Sequence, residues 1–86
     1  MQELVIGGTY QHYQGGIAHV ICVAKHTETV EDLVVYSYTY PENDTKHDFH
    51  YPFWARPLSM FLGEVEYEGK LIPRFRLVQD KDGNEV

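Results

Sequence analysis

Eighty-six residues suit a single domain, since domains typically run from about 50 to 250 residues, and a multidomain enzyme is excluded. Seven basic against thirteen acidic residues leave a net charge of −6, so the chain repels phosphate backbones and anionic lipid, and a nucleic-acid partner is not expected. The longest nearly apolar stretch, Ile17 to Ala24, contains His19 and falls well short of the about 20 apolar residues of a bilayer span, so no membrane partner is expected either.

The opening Met1-Gln2-Glu3 carries acid where a secretory signal carries base, which makes the cytoplasm the expected compartment. Cys22 is the single cysteine and cannot close an intrachain disulfide. Stability must therefore come from burial, and a domain this small buries only about 60–65% of its unfolded-chain surface.

Glycine, proline, asparagine and aspartate clusters cut the chain into short pieces rich in β-branched and aromatic residues, and such pieces read as strands. The first, Thr9 to Tyr13, lies between Gly7-Gly8 and Gly15-Gly16. The second, Ile17 to about Lys25, is apolar on both parities. It is expected either to be buried on both faces or to bend so that each half buries a different one. Polar His26 to Asp32 makes a turn. Leu33 to Tyr40 resumes as a strand, with Val34, Tyr36, Tyr38 and Tyr40 on one face and Leu33, Val35, Ser37 and Thr39 on the other.

Pro41 to Phe53 reads as a long surface loop bracketed by prolines. Leu58 to Leu62 has room for one helical or 3₁₀ turn. Glu64 to Glu68 alternates as a half-buried strand, and Glu68-Gly69 offers a two-residue hairpin turn. Pro73 lacks a backbone donor and interrupts the return strand. Arg74 to Val78 then continues after a bend or pairs elsewhere, with Phe75 and Leu77 on one face. Gln79 to Val86 shows no pattern and is expected to be a flexible tail, leaving an ordered core of residues 8–78 within one domain, 1–86. The elements together predict an all-β fold: a small antiparallel barrel of five or six short strands, SH3-like in type, with one short helical turn; an open antiparallel sheet is the alternative.

Several stretches carry a family likeness. Gly8-Thr9-Tyr10-Gln11-His12-Tyr13-Gln14-Gly15-Gly16, Val23-Ala24-Lys25-His26-Thr27-Glu28-Thr29, Leu33-Val34-Val35-Tyr36, Trp54-Ala55-Arg56-Pro57-Leu58-Ser59-Met60-Phe61, Gly69-Lys70 and Pro73-Arg74-Phe75 resemble the small bacterial family catalogued as domain of unknown function 1653. The likeness runs from about Gly8 to Val78. It implies a compact, stand-alone bacterial cytosolic domain with no assigned activity. Two departures stand out: Gln14 where the family pattern favours lysine, and a longer segment between Tyr40 and Trp54 containing His47 and His50.

No spacing in the sequence dictates a reaction. His12, His26 and Glu28 are polar groups at strand ends or in turns that a small barrel could gather on one rim, as a general base or a ligand grip. The alternative is that they tie turns together, with Thr27 and Thr29 capping the reversal. Cys22 lies mid-strand in apolar company, where a thiolate is disfavoured. His47, Asp48 and His50, with Asp44, put nitrogen and oxygen ligands close together, but two loop histidines without a cysteine partner are commoner as solvated residues, and no metal is expected. Gly7-Gly8 and Gly15-Gly16 precede no helix, so they make no phosphate cradle, and no cofactor is implied.

The aromatics are the stronger lead. Tyr10, Tyr13, Tyr36, Tyr38, Tyr40, Tyr51, Phe53 and Trp54 are too many for one face of so small a core, so some should be exposed for contact, and nearby acids would select cationic partners. Pro57 holds Arg56 extended, aimed at Glu28, Glu31 or an anionic ligand; Arg74 and Arg76 are expected to answer Glu64 and Glu66 across strands. The expected function is a non-enzymatic binding module, monomeric or homodimeric. It would present Tyr10, His12, His26, Glu28, Tyr36, Trp54 and Arg56 to a protein segment or small ligand. The alternatives are a small hydrolase or accessory enzyme of nucleotide or RNA metabolism using His12 or His26 with Glu28, and a dimeric adaptor.

Overall fold

In the computed structural model of the chain, residues 3–39 and 53–86 are described. Seven strands and one helical turn follow in order: β1 Thr9–His12, β2 Ile17–Lys25, β3 Asp32–Thr39, β4 Phe53–Pro57, α1 Leu58–Phe61, β5 Glu64–Tyr67, β6 Lys70–Pro73 and β7 Phe75–Gln79. The strands form two antiparallel sheets, one of five strands in the order β4-β3-β2-β1-β7 and a separate β5–β6 hairpin. The fold is all-β. Among the described residues the ladder does not close, since β4 and β7 remain its two edges.

The turns follow their residues. In the β5–β6 hairpin Glu68 and Gly69 both take positive φ (52° and 78°), the type I′ geometry whose twist matches the flanking strands. At the β1–β2 reversal the His12 amide donates to the Gly16 carbonyl at 2.7 Å, and the Gly15 amide to His12 at 2.8 Å. Gly16 is buried there under Tyr38, whose ring and hydroxyl a Cβ at position 16 would overlap. Pro73 ends β6 as expected. The Arg74 amide donates to the Gly63 carbonyl at 2.9 Å, and the chain bends into β7, which pairs with β1.

Alternation places Val34 and Tyr36 in the core and leaves Tyr38 half-buried, so the even-numbered side of β3 is the inner one. Tyr10, Ala18 and Val20 from β1 and β2 join them, with Phe61 from α1 and Phe75 from β7. The core is largely aromatic. Phe61 and Phe75 stack at 4.2 Å between centroids and 9° between planes, and Tyr10 and Tyr36 approach Phe61 at 5.2 and 5.4 Å. The single turn of α1 is enough to deliver Phe61, while Leu58 and Leu62 pack partly against the same cluster.

Four expectations need correction. Phe53, assigned to the loop, begins β4, an additional strand that takes the count to seven. The second half of β2 is not buried: a bulge at Ile21 shifts the register between Val20 and Cys22, and Ile21 to Lys25 are exposed. With one compact cluster on the inner side, nothing among the described residues covers both faces of a strand that long. Cys22 is accordingly exposed on a strand rather than shut in apolar company. Finally, Gln79 to Val86 does have a pattern. The Asp80 carboxylate accepts from the amides of Asp82 (2.9 Å) and Asn84 (3.0 Å), Gln79 bridges Glu85, and the Val86 amide donates to Val78 at 3.2 Å. No described helix is long and apolar enough to cross a membrane.

Candidate ligand-binding site

The inner face of the sheet runs out of core at one end, and a recess of about 250 Å³ opens there. Register explains its lining. Residues directly opposite in an antiparallel pair share a face, and β4 sets Trp54 opposite Tyr36 and Arg56 opposite Val34. Both β4 side chains therefore stand on the side that carries the core. Likewise β1 sets His12 opposite Phe75 of β7. Tyr36, Tyr38 and Phe75 form the base of the recess, Trp54 and Arg56 one wall, and His12 with Gln14 the other.

The Arg56 guanidinium carbon lies 5.5 Å from the Phe75 ring centroid. That contact joins the two edges of the five-stranded sheet through side chains, which requires the sheet to curl. Arg56 makes no ion pair with any described carboxylate. The one ion pair given by the described residues joins Lys25 and Asp32 at 2.8 Å on the surface. The expected cross-strand pairs of Arg74 and Arg76 with Glu64 and Glu66 are also absent among the described residues. The acids lie on β5, which among the described strands pairs with β6 alone, and Arg76 donates instead to Gln11 Oε1 at 3.1 Å. Arg74 buries its Nε with no hydrogen-bond partner among the described residues.

One hydrogen bond and three ring contacts hold the half-buried His12 in place. Its Nδ1 accepts the Gln14 amide at 3.1 Å, and its ring meets Tyr13, Phe75 and Tyr38 at 4.6, 4.9 and 6.1 Å. Burial, then the charges of Arg56 and Arg74, lower its pKa below 6.5. The ring is thus neutral at pH 7, and with Nδ1 accepting, the proton sits on Nε2. Because the folded pKa lies below the unfolded one, protonation favours the unfolded chain. The His12 contribution to stability is complete above pH 6.5 and is lost as pH falls through the folded value. An NMR titration should find His12 half-protonated below pH 6.5, with unfolding free energy declining on the acid side of that point. A midpoint at or above it would contradict the assignment.

Three of the seven expected site residues stand elsewhere. Tyr10 is wholly buried in mid-sheet, edge-on to Phe61, and its hydroxyl accepts the Val5 amide at 3.0 Å. It is a core residue, because its place opposite Ala18 and Leu77 puts it under the centre of the inner face. His26 and Glu28 lie in the β2–β3 turn, at the far end of β2 from His12. His26 Nδ1 accepts the amides of Glu28 (3.0 Å) and Thr29 (3.2 Å), and Thr29 Oγ1 accepts that of Glu31. These groups fix a turn and do not share a rim with His12.

The sequence reading missed Gln14, Tyr38 and Phe75 as lining residues. Tyr38 was within reach, two positions from Tyr36 on the same face; Phe75 carried no signal beyond its inward parity. Tyr40, Asp44, His47, Asp48, His50 and Tyr51 fall outside the described residues. A second recess, about 360 Å³, lies across His12 between β1 and β6, but its Arg76 is already tied to Gln11 and it has no exposed tryptophan. The first recess is the better candidate.

The family model described as "Protein of unknown function (DUF1653)" matches residues 8–77. A crystal structure of a DUF1653 protein from Bordetella bronchiseptica is similar with a TM-score of 0.68 and 29% identity, over 85% of this chain and 86% of that one. No curated protein matches the sequence significantly. With the match covering most of the chain, the protein belongs to the DUF1653 family, for which no function is assigned.

Proposed function

We propose that this protein is a non-enzymatic binding module whose recess between β1, β3, β4 and β7 takes a small ligand or a short protein segment. The observation that carries this reading is the convergence of His12, Tyr36, Trp54 and Arg56, from three separate stretches of sequence, on one concavity. Trp54 is 40% exposed at its wall, a rigid flat surface that binds at small entropy cost. The curled sheet, with Arg56 and Phe75 bridging its edges, supports an open SH3-like barrel with its binding face at the mouth. Cytoplasmic residence, as a monomer or homodimer, fits a chain of net charge −6 with one cysteine.

The enzymatic alternative has less support. It needs a histidine oriented by a carboxylate at the mouth of a recess, whereas no described acid lines this one and His26 spends its Nδ1 on backbone amides.

Trp54 is the only tryptophan, so its fluorescence reports on this wall alone. Titration with a panel of ring-bearing small molecules and peptides should give saturable emission changes, with amide shifts in two-dimensional NMR centred on Gln14, Tyr38 and Trp54. Saturable shifts confined to other surfaces, or none from the whole panel, would overturn the reading.

A further inference from the structure

Resting on that reading, we propose that the recess selects a small aromatic carboxylate, its ring against Trp54 and its carboxylate on Arg56 and the Nε2–H of His12.

Charge is the first argument. The chain carries thirteen acids against seven lysines and arginines, yet Arg56 stands in the recess with no carboxylate partner among the described residues, and none of the described lining residues is acidic. The guanidinium has five donors in a planar fork suited to bidentate carboxylate binding. It is also held in place: Arg56 sits in an extended strand before Pro57 and over the Phe75 ring. Little side-chain freedom is lost when a ligand arrives.

The second argument is the type of polar group around it. His12 is a neutral donor rather than a second cation, since its Nδ1 accepts the Gln14 amide and leaves Nε2–H as the ring's donor. Gln14 brings an amide and no charge. Arg56 is the one charged side chain among the described lining residues, with Arg74 acting on His12 from outside the lining, and a single guanidinium in contact with neutral donors suits a monoanion. A phosphate dianion would meet the field of a chain of net charge −6 at twice the cost, without the helix N-terminus that usually offsets it. This revises the expectation that the aromatics attract cationic partners.

The third argument is shape. Trp54 is exposed beside Arg56, two residues apart on one face of β4, while Tyr36, Tyr38 and Phe75 close the base with rings. An acid group set directly on a flat ring matches that spacing.

The probes are benzoate, its uncharged isostere benzamide, and phenyl phosphate, titrated into the full chain with Trp54 fluorescence and NMR amide shifts as readouts. Benzoate should bind roughly tenfold or more tightly than benzamide, and weaken as salt is raised. Arg56→Gln should lose roughly tenfold or more in benzoate affinity and much less in benzamide affinity, since only the benzoate loses a charge partner. Because Arg56 also packs on Phe75, exposed Gln14 supplies a second pair of variants: Gln14→Glu should weaken benzoate and Gln14→Lys tighten it, each by a few-fold, while both shift benzamide less and in no charge-dependent order. Equal binding of benzoate and benzamide at these residues, or indifference to charge at position 14, would overturn the carboxylate assignment while leaving the binding module standing. Phenyl phosphate binding more tightly than benzoate would overturn the monoanion preference. Failure of all ring probes and peptides to perturb the recess would overturn the module itself.

Discussion

Replacing Phe61 with alanine is expected to cost about 3–5 kcal/mol, within reach of the roughly 5–15 kcal/mol that holds a domain folded, so the variant should be largely unfolded or close to it at 37 °C. Phe61 is wholly buried and stacks on Phe75, with Tyr10 and Tyr36 against it. It is delivered by a four-residue helix, the only helix among the described residues, whose single turn has little length to shift and refill the space. The loss should appear in urea melts followed by circular dichroism, and Phe61→Leu should lose less because it keeps most of the volume. A Phe61→Ala loss below about 1.5 kcal/mol, under the range for a packed aromatic, would show that this core is not organised around that ring.

Gly16→Ala is the second large effect, and it connects the fold to the recess. A methyl at position 16 has nowhere to go, since the Tyr38 hydroxyl and ring edge already occupy the space above the Gly16 backbone. Tyr38 is held by rings at His12, Tyr36 and Phe75, so moving it disturbs the base of the recess. Overpacking of this kind costs about 1–3 kcal/mol. Ring probes should bind the variant poorly even under conditions where it is fully folded. The cause is separable by a double-mutant cycle: in a Tyr38→Ala background, Gly16→Ala should cost almost nothing. An unchanged cost there would place the strain in the backbone turn and not against Tyr38.

Much of the inner face was legible from period-two alternation. Val34, Tyr36 and Tyr38 share a side because successive strand residues point opposite ways, and the pattern needs no tertiary information. Turn chemistry was equally local: Glu68-Gly69 reverses a hairpin, Pro73 stops a strand, and Pro57 holds Arg56 extended. The failures share one feature. Ile17 to Lys25 is apolar on both parities, and hydrophobicity cannot say whether a second layer exists to cover it; no described residue supplies one. His26 and Glu28 looked like His12 in kind, and only the pairing of β2 with β3 shows that they close the opposite end of the hairpin.

The sequence by itself determined the β class, the positions of the tight reversals, the parity of β3 and the family to which the chain belongs, because each rests on neighbours within a few residues or on short stretches of matched residues. Only the tertiary structure decided that Tyr10 is core, that Trp54 stands opposite Tyr36, and that Arg56 reaches Phe75 across the edges of a curled sheet. Those outcomes depend on strand register and on the accumulated twist of five strands. Both are fixed by packing between segments far apart in the chain, and no local pattern encodes them.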